Sequence, residues 1–166
     1  INVYDALVDE GKNGSGLKPL LSTGWEYPDP NTLNVSLKSG VQFHSGNTLD
    51  ADDVVYSFNR LMDMGQGFSF LFGSVESVTA LDSSTVQFKT SEPFAPLVAS
   101  LMRLAIVDKD DVQANTVDGN YGDNGDYGEA YLLTTSAGTG AYKLSEHEPN
   151  VKTVLVKNDD YFQGHN

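Results

Sequence analysis

Gly138-Thr139-Gly140 has the glycine spacing that opens a phosphate cradle, where bare backbone amides close on an anion ahead of a helix. A dinucleotide fingerprint needs a third glycine and a following helix, whereas here the alternating stretch Ala141-Tyr142-Lys143-Leu144 follows. The pair therefore reads as the tight start of a strand, with glycine supplying backbone angles that other residues avoid. Metal chemistry has two candidate settings. His44 precedes Asp50, Asp52 and Asp53, but consecutive carboxylates ahead of an apolar helical pattern are ordinarily caps drawn to the positive end of the helix dipole. Asp118, Asn120 and Glu129 take the first, third and last positions of a calcium loop; Asp123 stands where the sharp turn needs glycine, and Gly122 has no side chain to offer. Nucleophilic chemistry finds less. There is no cysteine, no Gly-Lys-Ser or Gly-Lys-Thr, and no Gly-x-Ser-x-Gly elbow, and His147 and His165 stand in polar surroundings without an evident nucleophile. No catalytic residue, metal ligand or cofactor is expected.

The chain around these residues has 166 positions with 39% apolar content, enough for one core and short for a two-domain machine. Its 23 acidic and 10 basic residues give a formal charge of −13, which argues against a nucleic-acid partner and reads as a solvated face that aids solubility. Lack of cysteine excludes disulfide frameworks and thiolate metal sites. No apolar run approaches the ~20 residues of a membrane span, and no basic-then-apolar leader opens the chain. Ile1-Asn2-Val3-Tyr4 begins in mid-pattern without an initiator Met, so a processed or excised piece is expected. The glycosylation patterns at Asn13 and Asn34 are too short to settle secretion.

The elements that must carry these residues are mostly strands. Leu33 to Leu37 and Val41 to Phe43 alternate apolar and polar about a Ser39-Gly40 turn, and Ser77 to Leu81 and Thr85 to Lys89 flank Asp82-Ser83-Ser84 as a hairpin. Ala141 to Leu144 and Val151 to Val156 flank Glu148-Pro149-Asn150. Helical spacing appears in Val54, Val55, Phe58, Leu61 and Met62 behind Asp50, and a second helix is expected over 97–103. Residues 112–128 have loop composition. The expected architecture is α/β, one mixed sheet with flanking helices packed on the first helix, with Trp25 and Phe58 substantially buried.

The stretch LKPLLSTGWEYPDPNTLNVSLKSGVQFHSGNTLDADDVVYSFNRLMD, residues 17–63, resembles the signature region of the family 5 extracellular solute-binding proteins, the peptide- and nickel-binding receptors of ABC importers. Trp25, Leu33, Leu37, Gly40, Val41, Phe43, His44, Gly46, Ala51, Asp53, Val54, Val55 and Ser57 carry the match. The hairpin and proline-aromatic helix in VESVTALDSSTVQFKTSEPFAPLVASL, and the late phrase GTGAYKLSEHEPNVKTVLVKNDDYF, are similar to the family's wording as well. Departures are Leu21 for a small residue, Ser39 in a basic neighbourhood, Ala141 for proline and Phe162 for tryptophan; residues 115–137 have no counterpart.

This resemblance implies a fragment of a periplasmic-binding-protein type II-like receptor: 1–7 as the N-terminal end of main lobe I, 8–137 as its accessory subdomain, 138–166 as the strand return into lobe I, and lobe II absent. It makes Trp25, Gly40, Phe43, Gly46, Asp53, Gly138 and Gly140 structural motif residues. The implied function is non-catalytic ligand capture for an ABC import system, outside the cytoplasm, lipid-anchored or secreted, as a monomer with a peptide or other small solute and a membrane permease as partners. If any surface faces ligand, the candidates are the aromatic turn with Phe68 and Phe70, and Arg103, which could hold a ligand carboxylate. The alternatives are that both rings are core and that Arg103 neutralises Asp108 or another neighbour. A self-contained surface interaction or calcium-dependent module stands as the alternative function; a coding sequence continuing beside permease and ATPase genes would remove it.

Overall fold

The computed structural model describes residues 2–11 and 16–164; the glycosylation pattern at Asn13 and His165 lie outside them. Two compact units divide the chain. The first is built from Ala6–Ser39 and Asp50–Ile106, the second from Gly40–Leu49, the residues up to Asp5 and those after Ile106.

In the first unit, strands β1 (Val8–Glu10) and β2 (Leu17–Pro19) pair with each other. Strands β3 (Ser22–Asp29), β4 (Thr32–Leu37), β5 (Val75–Asp82) and β6 (Thr85–Thr90) form an antiparallel sheet in the order β3-β4-β6-β5. The alternation of β4 sends Leu33, Val35 and Leu37 inward, where Leu33 and Val35 lie opposite Phe88 and Val86 of β6. Helix α1 (Ala51–Met64) covers that face, and its Phe58 meets Phe72 and Phe88 edge-on at centroid distances of 5.6 and 6.0 Å. Burying one such ring is worth about 1.5–3 kcal/mol, so this trio is the centre of the unit. The hairpin between β5 and β6 turns where the Asp82 carboxylate accepts from both the amide and the hydroxyl of Ser84.

Strand β3 carries Gly24 and Pro28 and slips register twice, habits of an edge strand. Trp25 lies on it opposite Val35 and is half-buried, less than the sequence suggested, as suits a strand with a neighbour on one side only. Phe58 is buried as expected.

In the second unit, β7 (Tyr142–Glu148) and β8 (Lys152–Lys157) form a hairpin through Asn150, whose φ is 62°. The α/β reading stands, but among the described residues the strands are shared among three antiparallel sheets instead of the one mixed sheet expected. Val41 to Phe43 forms no strand: Gln42 makes an isolated bridge to Thr48. Period-two alternation reports a half-buried strand and carries no information about its partner, so pairing between distant strands was misassigned.

The expected loop at 112–128 is more ordered than its composition suggested. Helix α3 (Lys109–Ala114), capped by Asp108, leads into it and α4 (Glu129–Leu132) leaves it; α2 (Leu97–Ser100) belongs to the first unit. Between α3 and α4 the Asp126 carboxylate gathers the amides of Val117, Gly128 and Ala130, which holds that group below the usual carboxylate range. Tyr127 is buried there at φ 53°, with Tyr121 against it.

Candidate functional site

Helix α1 ends at Gly65 in the left-handed region, and the following turn contains the short 3-10 segment Ser69–Phe72. Phe72 is fully buried against Phe58, which anchors the turn. That anchor leaves Phe68 45% and Phe70 74% exposed, with ring centroids 6.4 Å apart. Neither ring is core, which settles the alternative left open by the sequence. Helix α2 continues as a 3-10 turn over Leu101–Arg103; Leu97, Val98 and Leu101 bury one face, so the exposed Arg103 closes the segment. Its Cζ lies 5.1 Å from the centre of the Phe68 ring, a cation–π contact. A guanidinium stacked on a ring keeps its in-plane N–H donors, the geometry that grips a carboxylate through two parallel hydrogen bonds. Thus two of the three candidates, Phe68 and Arg103, are brought together from stretches far apart in sequence, and Phe70 flanks them.

The glycine pair belongs to the second unit. Neither glycine has a positive φ; a Cβ on Gly138 would sit 2.2 Å from the Val3 carbonyl oxygen, and one on Gly140 would sit 2.5 Å from the Val3 carbonyl carbon. Close backbone approach, and not the unusual angles inferred from sequence, is what demands glycine here. The Gly140 amide donates to Val3 and the Tyr142 amide to Asn2, and the fully buried Thr139 hydroxyl donates to Asp5.

His44 braces the same place, where the backbone around Gly138 to Gly140 crosses that of Asn2 to Asp5. Its Nε2 lies 3.0 Å from the Gly140 carbonyl oxygen, so this nitrogen donates; Nδ1, 2.9 Å from the Ser136 hydroxyl, accepts in the neutral ring. Ser136 in turn accepts from the Leu144 amide, and Asn158 donates to the Gly140 carbonyl. Burial holds the His44 pKa below its ordinary value, and the nearby Lys143 ammonium, bonded to the His44 carbonyl, adds to the lowering. The sequence showed His44 only as a motif residue and a rejected metal ligand; its role as a brace depends on partners some ninety positions away.

The remaining motif residues have structural positions. Phe43 is buried; Gly40 and Gly46 hold φ values of 72° and 96°, where side chains are strained. The side chain of Asp50 accepts from the amides of Asp52 and Asp53, and Asp53 accepts back from the Asp50 amide, so both carboxylates cap α1. Asp108 accepts from Ser45, Asn47 and the Asp111 amide. Among the described residues no group of three or more His, Cys, Asp or Glu is placed to hold a metal ion. A depression of about 540 Å³ also lies in the second unit, with Val3, Tyr4, Leu132, Leu144 and Leu155 in its wall.

With this geometry in view, comparison with known proteins is decisive. The profile described as "Bacterial extracellular solute-binding proteins, family 5 Middle" matches residues 16–166. The chain belongs to this family. It is 28% identical to the probable D,D-dipeptide-binding periplasmic protein DdpA of Escherichia coli (strain K12), over 92% of this chain and 29% of that protein. It is 25% identical to the nickel-binding protein NikA of Staphylococcus aureus (strain NCTC 8325 / PS 47), over 94% of this chain and 28% of that one. Among solved structures, the ABC transporter-associated periplasmic binding protein DppA from Helicobacter pylori in complex with the peptide STSA is similar with a TM-score of 0.78 and 30% identity, over 97% of this chain and 34% of that one. NikZ from Campylobacter jejuni shares the fold, with a TM-score of 0.81 at 21% identity over 97% and 31% of the two chains. The chain thus spans about a third of the length of these relatives.

Proposed function

We propose that this chain is part of the ligand-capturing component of an ABC import system for peptides or a related small solute. The observation that carries the reading is the family 5 match across nearly the whole chain. Supporting it, the relatives named above are a probable dipeptide-binding protein, a nickel-binding protein and a periplasmic binding protein in complex with a peptide. The component is non-catalytic, acts outside the cytoplasm as a lipid-anchored or secreted monomer, and delivers its solute to a membrane permease. A second lobe outside this chain closes on the ligand, and the permease reads the closed state.

Within that receptor the first compact unit corresponds to the accessory subdomain. On this assignment residues 40–49 and 107–137 count with main lobe I, together with 138–166 and the N-terminal residues up to Asp5, a narrower accessory subdomain than the 8–137 expected from the sequence. Arg103 and Phe68 supply one side of the ligand site, with the guanidinium taking a ligand carboxylate.

Calorimetric titration of the full-length receptor with di- to tetrapeptides and with nickel–histidine complexes tests this. Binding to one class is expected, and Phe68→Ala or Arg103→Ala should each weaken it by roughly 1–3 kcal/mol. Unchanged affinity in both folded variants would leave this part of the receptor purely structural, and absence of all binding would remove the receptor reading itself.

A further inference from the structure

The glycosylation pattern Asn34-Val35-Ser36 lies in the middle of β4, an interior strand of the four-stranded sheet. Alternation turns Leu33, Val35 and Leu37 into the core, so Asn34 and Ser36 stand on the opposite face. Across the strands that face is polar. Asn34 lies opposite Glu26 of β3 and Gln87 of β6, and Gln87 lies opposite Thr79 of β5. In the neighbouring row Ser36 lies between Gly24 and Thr85. An antiparallel sheet packed on one face and polar on the other keeps the polar face in water, so the residue types themselves mark this face for solvent. Ser36 is exposed there and Asn34 half-buried. The Asn34 Nδ2 donates to Glu26 Oε1 at 3.4 Å, and its Oδ1 accepts from Gln87 Nε2 at 3.0 Å. A side-chain amide has two N–H groups, so a bond from Nδ2 to a sugar spends one hydrogen and leaves the other for Glu26 and the carbonyl for Gln87. Room is present beside it: a Cβ added to Gly24, diagonal to Asn34, would meet nothing within 4 Å.

We propose that Asn34 is an N-glycosylation site, taking an oligosaccharide from a lipid-linked pyrophosphate donor through the Asn34-Val35-Ser36 pattern. The inference rests on the placement outside the cytoplasm proposed above. In the transfer, Nδ2 gives one proton to a base of the transferase and bonds to C1 of the first sugar. The bond from C1 to the pyrophosphate oxygen breaks, and the lipid pyrophosphate leaves with that electron pair. Chain order keeps the amide open to this step, because Gln87 comes 53 positions later and β4 emerges before the strand that flanks it. The glycan then covers the flat polar face, adds to solubility and leaves the packed face of the sheet untouched.

The test compares, by intact and peptide mass, the full-length receptor isolated from its own cells with the same chain made in a cytoplasm that lacks the transferase. The native protein is expected to be heavier by a glycan mass that disappears on glycan release, with fragmentation assigning it to Asn34. Fragmentation is needed because trypsin leaves Asn13 and Asn34 in one peptide, Lys18 being followed by Pro19. Ser36→Ala, which keeps the Asn34 amide and removes the hydroxyl of the pattern, should abolish the added mass, as should Asn34→Gln, whereas Ser36→Thr should retain it. Should the substitutions prevent folding, the mass at Asn34 in the wild-type protein decides alone. An unmodified Asn34 in an exported receptor that still binds a peptide or nickel–histidine overturns this inference and leaves the receptor reading intact, as does a glycan that persists in Ser36→Ala. A receptor retained in the cytoplasm removes the placement beneath the inference and the inference with it.

Discussion

His44 holds its place through both ring nitrogens, so its charge state is tied to the crossing it braces. Protonation would replace the Nδ1 acceptor with a donor, put charge into a half-buried site and face it toward the Lys143 ammonium. Burial lowers the folded pKa beneath the ordinary 6.5, so as pH falls the unfolded chain takes up the proton first and the folded state loses stability. We expect the urea midpoint to be flat above about pH 7 and to decline as pH drops through about 6.5. His44→Gln, which keeps a donor for the Gly140 carbonyl and cannot titrate, should lose that decline; an identical pH profile in the variant would free His44 from the role. Residue by residue, the sequence exposed identity better than cause. It marked Gly138 and Gly140 as architectural, yet their reason lies in Val3, more than a hundred positions earlier. It offered Phe68 and Arg103 as separate candidates, and only folding shows the cation over the ring.

Among elements, α1 was the most legible because its signals are local: a capping aspartate, carboxylates in the first turn and one apolar stripe ending at a glycine. That legibility predicts a measurable cap. Asp50→Ala should lower stability by about 1 kcal/mol, seen as a shifted denaturation midpoint at constant slope, because two amides lose their acceptor at once. Asp50→Ser, which can still accept, should recover most of the loss. The hairpins β5–β6 and β7–β8 were legible for the same reason, since each turn and its strands are contiguous. Strand β3 was missed because Gly24 and Pro28 interrupt its pattern at an edge where irregularity is tolerated. The order in 115–137 was missed because a single carboxylate, Asp126, organises it through backbone amides, and backbone partners leave no trace in side-chain periodicity.

For the whole molecule, charge is the dominant visible property. The ion pairs Lys18–Asp9, Lys152–Glu146 and Lys157–Asp159 are all solvent-exposed and contribute little, so the excess of acid is felt mainly as self-repulsion. Raising salt from low to moderate concentration, where the Debye length contracts to ~10 Å, should therefore raise the melting temperature. A steady fall over that range would show that attractive pairs outweigh repulsion. Composition carried no sign of the division into compact units, because a chain that leaves one unit and rejoins it shows no break in composition; only the family resemblance suggested a discontinuous division, with other bounds. The hydrogen bond from Thr139 to Asp5 joins residues 134 positions apart, and it sets a timetable for the newborn chain. At synthesis rates of ~5–20 residues per second, Asp5 must wait on the order of ten seconds for its partner. During that interval the partners that make up the first unit have already emerged, while the Val3–Tyr4 segment still lacks the neighbours from 138–142 that it pairs with. A nascent chain of this design leaves the Val3–Tyr4 backbone open to whatever meets it before Gly138 to Tyr142 arrive.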